Sequence, residues 1–416
     1  MDDEREMVLR MLKEGKITVE EADALLQELA EQSDEEGAAA PPLPGSPGPD
    51  VRQELRSVFQ ELLEAIPKDV VRELKQAGEA LRPGFFQVVR GLRGLTEGRA
   101  ETTAEEVMRP GEQLVLRNAW GDAALTVSPD DRLRMRAVKR VWIAEPDAAA
   151  AQREAEALSV EVRRHGSSIE ITVQRPMLPH RRSRVDFELA IPAGVDARAD
   201  VAKGDVTADG LRGKIDLRVA SGDVKIRTQQ GGANLDVISG DVQLNAVRGD
   251  VRLDVRSGDV AARQVDGALR GRVINGDIAL NGVGDLTLDV VHGDVAADGI
   301  AGTVRVETKS GDVALAGVVR DARARTLAGD VGLSVDELTD GMLDVETVSG
   351  DIEVSLPASA RATIEAATRS GAIHSSLPLQ QTAGDRRSLR GILNGPGATV
   401  RLAAMSGDIE LRERRP

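Results

Sequence analysis

The sequence contains no cysteine and no tyrosine, and its 416 residues include only two tryptophans and four phenylalanines. Without cysteine the chain can form no disulfide, no thiolate zinc site and no cysteine nucleophile, which fits a reducing compartment. All six aromatic residues lie before residue 190. Any core in the C-terminal half must therefore consist of Val, Leu, Ile and Ala, and we predict a domain boundary where the composition changes.

The chain also has no surplus of basic residues, since its formal net charge is -15. An acidic protein with so few aromatic residues lacks both the positive surface and the stacking platforms that nucleic acids require. We find no run of about 18 apolar residues that could span a membrane, and the acidic N-terminus does not resemble a secretory signal. We expect a cytoplasmic protein or one at the inner face of the cell membrane, with secretion without a signal peptide as the alternative.

The first hundred residues read as helical segments joined by a linker. Residues 1–32 predict a helical hairpin in which Gly15 ends the first helix, while Thr18 and Glu21 form a capping box for the second. Residues 33–50 are rich in Pro and Gly, which predicts a flexible linker. Residues 51–99 then predict amphipathic helices.

A basic, apolar stretch near the end of this region is a candidate contact site. Phe85, Phe86, Arg90 and Arg93 lie in a stretch that has a single acidic residue between positions 81 and 99, within an otherwise acidic chain. One interpretation is a peripheral helix on an anionic membrane surface. The other is a helix that packs on the rest of the chain or on a second subunit in a homo-oligomer.

Glycine recurs with a fixed step in the second half of the chain. It occurs every nine residues from Gly204 to Gly276, then at Gly284, and again every nine residues to Gly311. Asp follows many of these glycines, and the pairs that we assign to structural corner turns are Gly222–Asp223, Gly240–Asp241, Gly258–Asp259, Gly276–Asp277, Gly293–Asp294 and Gly311–Asp312.

Apolar and polar residues alternate between these glycines, as in residues 251–255 and 286–290. This period of two indicates short strands with one inward face, and two nine-residue units make one coil of about eighteen residues. The fold class is therefore mainly β: a single-stranded β-solenoid over residues 191–412, with about twelve stacked coils. Residues 100–190 predict a β-rich entrance region that caps the first coil, with one Ala-rich helix at 147–158 and an early corner at Gly121–Asp122.

Each corner glycine is predicted to supply a positive φ, and each Asp to fold its carboxylate back onto its own turn. The alternative is calcium, because a nine-residue Gly and Asp period also describes calcium-binding β-rolls. The fuller glycine pattern of those rolls is nearly absent here, so we expect at most weak calcium binding at the Gly–Asp corners and assign no metal site.

Two of these features resemble known bacterial proteins. The run from Leu12 through Leu26 resembles a SHOCT-like helical hairpin, and the repeated Ser-Gly-Asp-Val units resemble the bacterial putative adhesin family, in its LiaX/YvlB-like members. The resemblance implies a β-solenoid and a role in cell-envelope stress or surface interaction, and it brings no catalytic residues with it.

No constellation of residues indicates an enzyme or a cofactor. The four histidines are scattered along the sequence, and no phosphate-binding loop or nucleophile elbow is present. A β-helical polysaccharide lyase or hydrolase is the enzyme alternative, but the repeats contain no aromatic residue to hold a sugar ring. We predict a non-catalytic scaffold that binds a protein or cell-envelope component, with the N-terminal helices for self-association or membrane recruitment; the alternative is a secreted adhesin-like module.

Overall fold

The computed structural model describes residues 95–414, except 110, 144–146, 175–181, 319 and 339. The predicted hairpin, the linker, most of the helical segment and the contact residues Phe85, Phe86, Arg90 and Arg93 lie outside the described residues. The prediction of helix to residue 99 is wrong over its last four residues. Thr96–Arg99 begin a strand that pairs antiparallel with Arg140–Ile143.

The described chain contains thirty-one strands and one helix. The N-terminal elements are β1 (Thr96–Val107), β2 (Gln113–Asn118), β3 (Ala123–Ser128), β4 (Arg132–Ile143), α1 (Ala148–Ala157), β5 (Ser159–His165), β6 (Ser168–Gln174) and β7 (Arg182–Pro192).

The repeated part follows with β8 (Asp196–Lys203), β9 (Val206–Asp209), β10 (Ile215–Ser221), β11 (Val224–Arg227), β12 (Ala233–Ser239), β13 (Val242–Val247), β14 (Val251–Ser257), β15 (Val260–Val265), β16 (Leu269–Asn275), β17 (Ile278–Val283), β18 (Leu286–His292), β19 (Val295–Ile300), β20 (Val304–Ser310), β21 (Val313–Val318), β22 (Ala322–Ala328), β23 (Val331–Val335), β24 (Met342–Ser349) and β25 (Ile352–Leu356). The last strands are β26 (Ala362–Ser370), β27 (Ile373–Ser375), β28 (Gln380–Gly384), β29 (Ser388–Leu393), β30 (Ala398–Ser406) and β31 (Ile409–Glu413).

These strands form two long sheets, one of fifteen strands (sheet A) and one of sixteen (sheet B). Each coil contributes one strand to each sheet, and equivalent strands of successive coils pair in parallel, as Leu217 pairs with Leu235 and Leu235 with Leu253. The inward residues are mostly Val, Leu, Ile and Ala, joined by Thr308, Thr326, Thr347 and Thr368 on sheet B, and the apolar ones form one continuous core. The predicted β-solenoid with about eighteen residues per coil is confirmed.

The order of coils in space differs from their order in sequence at both ends. The coil β2–β3 lies between β6–β7 and β8–β9, so the stack begins with strands that precede residue 191. At the other end β30–β31 lies between β24–β25 and β26–β27. Residues 100–190 therefore do more than cap the stack, because they supply two of its coils.

Antiparallel strands flank this stack at both ends. Strand β4 and then β1 extend sheet A, and β5 extends sheet B, while β29 and then β28 extend sheet B at the far end. They cover coils whose hydrogen-bonding edges would otherwise be open to another chain.

The predicted Ala-rich helix is confirmed as α1 and packs against this N-terminal end. Asp147 caps it by accepting hydrogen bonds from the N–H groups of Ala149 and Ala150. Its buried side chains are Ala151 and Ala155. It lies so close to β1 that a Cβ on Gly98 would come within 1.9 Å of the Ala151 carbonyl oxygen. No helix among the described residues is long and apolar enough to cross a membrane.

Candidate functional site

The most regular feature of the surface is the corner at which each coil passes from sheet B to sheet A. Gly222 shows its geometry: its φ is +146°, and its N–H donates to the carbonyl of Ser239 in the next coil at 3.0 Å. A Cβ at this position would lie 2.0 Å from the carbonyl oxygen of Gly204 in the preceding coil. Only glycine fits, both because of the positive φ and because adjacent coils approach so closely.

The aspartate after this glycine links one coil to the next. Oδ1 of Asp223 accepts a hydrogen bond from the N–H of Asp241 at 3.0 Å, and the same bond repeats along the stack at 2.7–3.0 Å. We call these residues the aspartate column: Asp186, Asp122, Asp205, Asp223, Asp241, Asp259, Asp277, Asp294, Asp312, Asp330, Asp351 and Asp408.

The structure corrects the role that we predicted for these carboxylates. They do not fold back onto their own turns, because the nearest free N–H belongs to the equivalent Asp of the neighbouring coil. The early corner at Gly121–Asp122 is confirmed as part of the column, since Oδ1 of Asp122 accepts from the N–H of Asp205 at 3.0 Å. The Gly–Asp pairs lie at the corners between sheet B and sheet A, and their bond is directed between coils.

The column places like charges at the coil spacing of about 4.8 Å. Its N-terminal end is neutralised, because Arg184 forms ion pairs with both Asp122 and Asp186, and Arg140 approaches Asp186 at 3.3 Å. Within the described part of the chain, no Lys or Arg forms an ion pair with the aspartates of the column from Asp205 to Asp408. Burial raises the pKa of the Asp122 and Asp312 carboxyls. The column is thus an uncompensated acidic edge along most of its length.

The opposite corner, where the chain returns from sheet A to sheet B, is built differently. Gly213, Gly231 and Gly267 do not have a positive φ, so the prediction that every corner glycine supplies one is wrong there. Glycine is needed here because adjacent coils approach each other closely: a Cβ on Gly213 would lie 2.1 Å from the Val195 carbonyl oxygen of the preceding coil. The positive φ occurs three residues before these glycines, at Gly210 (73°), Thr228 (52°) and Gln264 (55°), although Gly249 at the same corner of another coil has a φ of 125°.

The outer face of sheet B carries charges of both signs that pair with one another. Arg198 and Asp200 lie 3.3 Å apart, Arg305 and Glu307 2.7 Å, and Arg325 and Glu346 3.0 Å. These pairs are at least partly exposed, so each adds little stability. They leave this face nearly neutral beside the acidic column.

The structure does not bring candidate metal ligands together. Among the described residues, no three or more His, Asp or Glu side chains form a group that could hold a metal ion. In the aspartate column one oxygen of each carboxylate is already taken up by a backbone N–H. His165, His292 and His374 are exposed and lie apart. The calcium alternative therefore has no cluster in the described chain to support it.

An aromatic and charged cluster at the N-terminal end was not predicted from the sequence. The rings of Trp120 and Trp142 lie 5.9 Å apart, and the Lys203 Nζ is 5.7 Å from the Trp120 ring centre. The two tryptophans are 22 positions apart in the sequence, and only the insertion of β2–β3 between later coils brings Lys203 beside them. No periodicity in the sequence signals this contact.

The repeat geometry agrees with a known family. The model of the family Toastrack DUF4097 matches residues 186–280 and 239–412, which together are more than half of the chain. The chain belongs to this family. A SHOCT-like domain matches residues 3–34, in agreement with the resemblance noted in the sequence. Neither match is to an enzyme family.

The solved structures that match this chain differ greatly from it in sequence. A putative cell adhesion protein from Clostridium sporogenes is 10% identical, with 76% of this chain and 100% of that chain covered and a TM-score of 0.18. A putative adhesin from Bacteroides fragilis is 16% identical, with 61% and 97% covered and a TM-score of 0.25. A putative adhesin from Parabacteroides merdae is 10% identical, with 61% and 95% covered and a TM-score of 0.28. A search of curated proteins found no match.

Proposed function

We propose that this member of the Toastrack family is a non-catalytic scaffold that binds a protein or cell-envelope component along its solenoid. The observation that carries the proposal is the aspartate column, in which one surface chemistry repeats at every coil from Asp205 to Asp408. A row of identical groups at fixed spacing, each at least partly exposed, suits many weak contacts with an extended partner, whose combined strength exceeds that of any single contact.

The N-terminal region supplies attachment in this proposal. Phe85, Phe86, Arg90 and Arg93 combine aromatic and cationic side chains, which is the chemistry that holds a protein at an anionic membrane surface. Self-association through the same residues is the other use of this segment. Membrane attachment would place the solenoid at the inner face of the cell membrane, where a role in the envelope stress response is the biological setting that we propose.

Co-sedimentation of the full chain with vesicles tests the attachment. We expect binding to anionic vesicles at low salt, little binding to neutral vesicles, and loss of binding at high salt. The double variant Phe85→Ser, Phe86→Ser should lose binding, whereas Ile238→Ser, which removes an exposed apolar side chain of the solenoid, should retain it. A wild-type protein that stays in the supernatant with both vesicle types would contradict membrane recruitment.

Sedimentation velocity separates the two uses of the segment. If the wild-type chain associates and the Phe85→Ser, Phe86→Ser variant does not, while neither binds vesicles, the segment serves self-association. If neither protein associates or binds vesicles, the proposed attachment is wrong in both forms.

A further inference from the structure

Exposed apolar side chains are grouped on the C-terminal coils of the solenoid. Leu327, Val348 and Met405 are 54%, 41% and 49% exposed. Each lies two residues before a corner glycine, on β22, β24 and β30. These three strands are consecutive in sheet B, so the side chains stand in line although 78 positions separate the first from the last in the sequence. We call them the apolar stripe.

In other coils the residue at this position is polar, isolated or less exposed, since the adjacent Ile274 on β16 and Val291 on β18 are only partly exposed. Lys309 on β20 and Arg369 on β26 occupy it in the two coils that flank the apolar stripe, and both are exposed. Ile238, at this position on β12, is 44% exposed but has Ala220 and Arg256 on the adjacent coils. The apolar stripe is thus a bounded patch. Single exposed apolar residues are ordinary, whereas a contiguous set suggests a contact surface.

The aspartate column runs beside the apolar stripe. Asp330, Asp351 and Asp408 follow the three apolar residues by three positions each, and all three are exposed. Each carboxylate uses one oxygen in the bond between coils and has no cationic partner in the described chain. A partner that covers the stripe would therefore meet a row of negative charges along one side of it.

We propose that the apolar stripe docks an amphipathic α-helix of a partner protein, with Arg or Lys side chains on the flank that faces Asp330, Asp351 and Asp408. The two coil spacings from Leu327 to Met405 are about 10 Å. This length matches the rise of about 10.5 Å over seven helical residues. A helix along the stack can thus place its residues i, i+3 or i+4, and i+7 on the three stripe side chains.

Charge argues against a second copy of the chain as the occupant. A two-fold axis through Val348 would pair Leu327 with Met405, but it would also bring Lys309 of one copy towards Arg369 of the other. The two aspartate columns would lie near each other as well. Like charges at such a contact oppose association, whereas a cationic helix meets complementary charge.

This inference rests on the proposed function only in treating the solenoid as a binding surface, and its test uses no membrane.

The probe is a fluorescent eighteen-residue helical peptide of Leu and Lys, with Leu at the i, i+3 or i+4, i+7 positions. A second peptide with Glu in place of Lys serves as its counterpart. Anisotropy would be measured with the full chain. We expect the Leu/Lys peptide to bind and the Leu/Glu peptide to bind at least about tenfold more weakly.

The stripe is tested by substitution. The triple variant Leu327→Ser, Val348→Ser, Met405→Ser should lose about tenfold or more in affinity for the Leu/Lys peptide, while Ile238→Ser, the matched control, should bind like the wild type. These side chains are exposed, so the variants should fold. The variant Asp330→Asn, Asp351→Asn, Asp408→Asn keeps the acceptor oxygens of the column and should show weaker binding with a smaller salt dependence.

Three results would overturn the inference: no binding of the Leu/Lys peptide to the wild type, equal binding of the Leu/Glu peptide, or unchanged affinity in the triple Ser variant. The last result would show that the net negative charge alone attracts the peptide. A vesicle-binding result in either direction leaves this test unaffected, so failure of the stripe and failure of the proposed attachment can be told apart.

Discussion

The two corners of each coil differ in what they demand of the sequence. At the Gly–Asp corner, glycine has a φ near +140°, its missing side chain makes room for the preceding coil, and the next residue is an Asp that bonds to the neighbouring coil. At the opposite corner these roles fall on different residues, because positive φ occurs at Gln264 while the close approach occurs at Gly267. When two requirements fall on one residue, the sequence there has little freedom to vary.

The largest expected effect comes from adding a methyl group at each corner. Gly258→Ala should lower the free energy of unfolding by about 3 kcal/mol or more, because its φ is +139° and the new Cβ would lie 2.1 Å from the Gly240 carbonyl oxygen. Gly282→Ala should lower it by only about 1 kcal/mol. Its φ is +69° and its nearest neighbour is 3.7 Å away, and Ala246 already occupies the equivalent position two coils earlier.

Thermal and denaturant unfolding followed by circular dichroism would check this pair. Equal losses in the two variants would mean that the Gly–Asp corner is no more constrained than its counterpart.

The bond between coils is the next test. Asp259→Ala removes the acceptor for the N–H of Asp277, now at 2.9 Å, and should lower the free energy of unfolding by about 1 kcal/mol. Asp259→Asn retains the acceptor and should not lower the free energy of unfolding. At the opposite corner, Asp250→Ala removes the acceptor for Ala268 N–H at 3.1 Å and should lower the free energy by a similar amount. If Asp259→Asn is as damaging as Asp259→Ala, the bond is not what the Asp contributes.

Charge repulsion distinguishes the corners further. The triple variant Asp223→Asn, Asp241→Asn, Asp259→Asn keeps the acceptors and removes three adjacent charges, so we expect a gain of about 0.5 kcal/mol in unfolding free energy at low salt. The gain should disappear near 1 M salt. The double variant Asp250→Asn, Asp285→Asn at the opposite corner should change little, because these residues stand two coils apart, about 10 Å. A gain that persists in high salt would contradict repulsion as its cause.

The sequence predicts the regular part of this fold well, because the same nine-residue pattern of a short strand and a corner glycine repeats along it. Alternation in stretches such as 251–255 predicts the strands, and the glycine step predicts the coil length. The nine-residue period does not predict the difference between the corners. Gly258 and Gly267 occupy equivalent positions in this period, although only Gly258 has a positive φ.

The insertions at the two ends could not be predicted. Whether β30–β31 follows β26–β27 in space or slips between coils depends on which open edge is available, and both arrangements satisfy the same local pattern. The apolar stripe was missed for the same reason. Met405 adjoins Val348 only because of this insertion, so no local pattern in the sequence relates the two residues.

The smallest expected effect is a pH dependence of opposite sign at one aspartate of each corner, Asp312 and Asp285. Burial raises the pKa of Asp312 in the aspartate column, so its contribution to stability is largest below its ordinary pKa and is lost as the pH rises through the raised value. The N–H and Oγ1 of Thr303 lower the pKa of Asp285 at the opposite corner. Its contribution is present above the ordinary value of 3.8 and is lost as the pH falls below it. As the pH is lowered from 6 to 3, the wild type should become more stable in comparison with the variant Asp312→Asn. Over the same range it should become less stable in comparison with the variant Asp285→Asn. Melting temperatures across this range would measure both differences, and a shift of the same sign in both would show that Asp312 and Asp285 are not held in opposite ways.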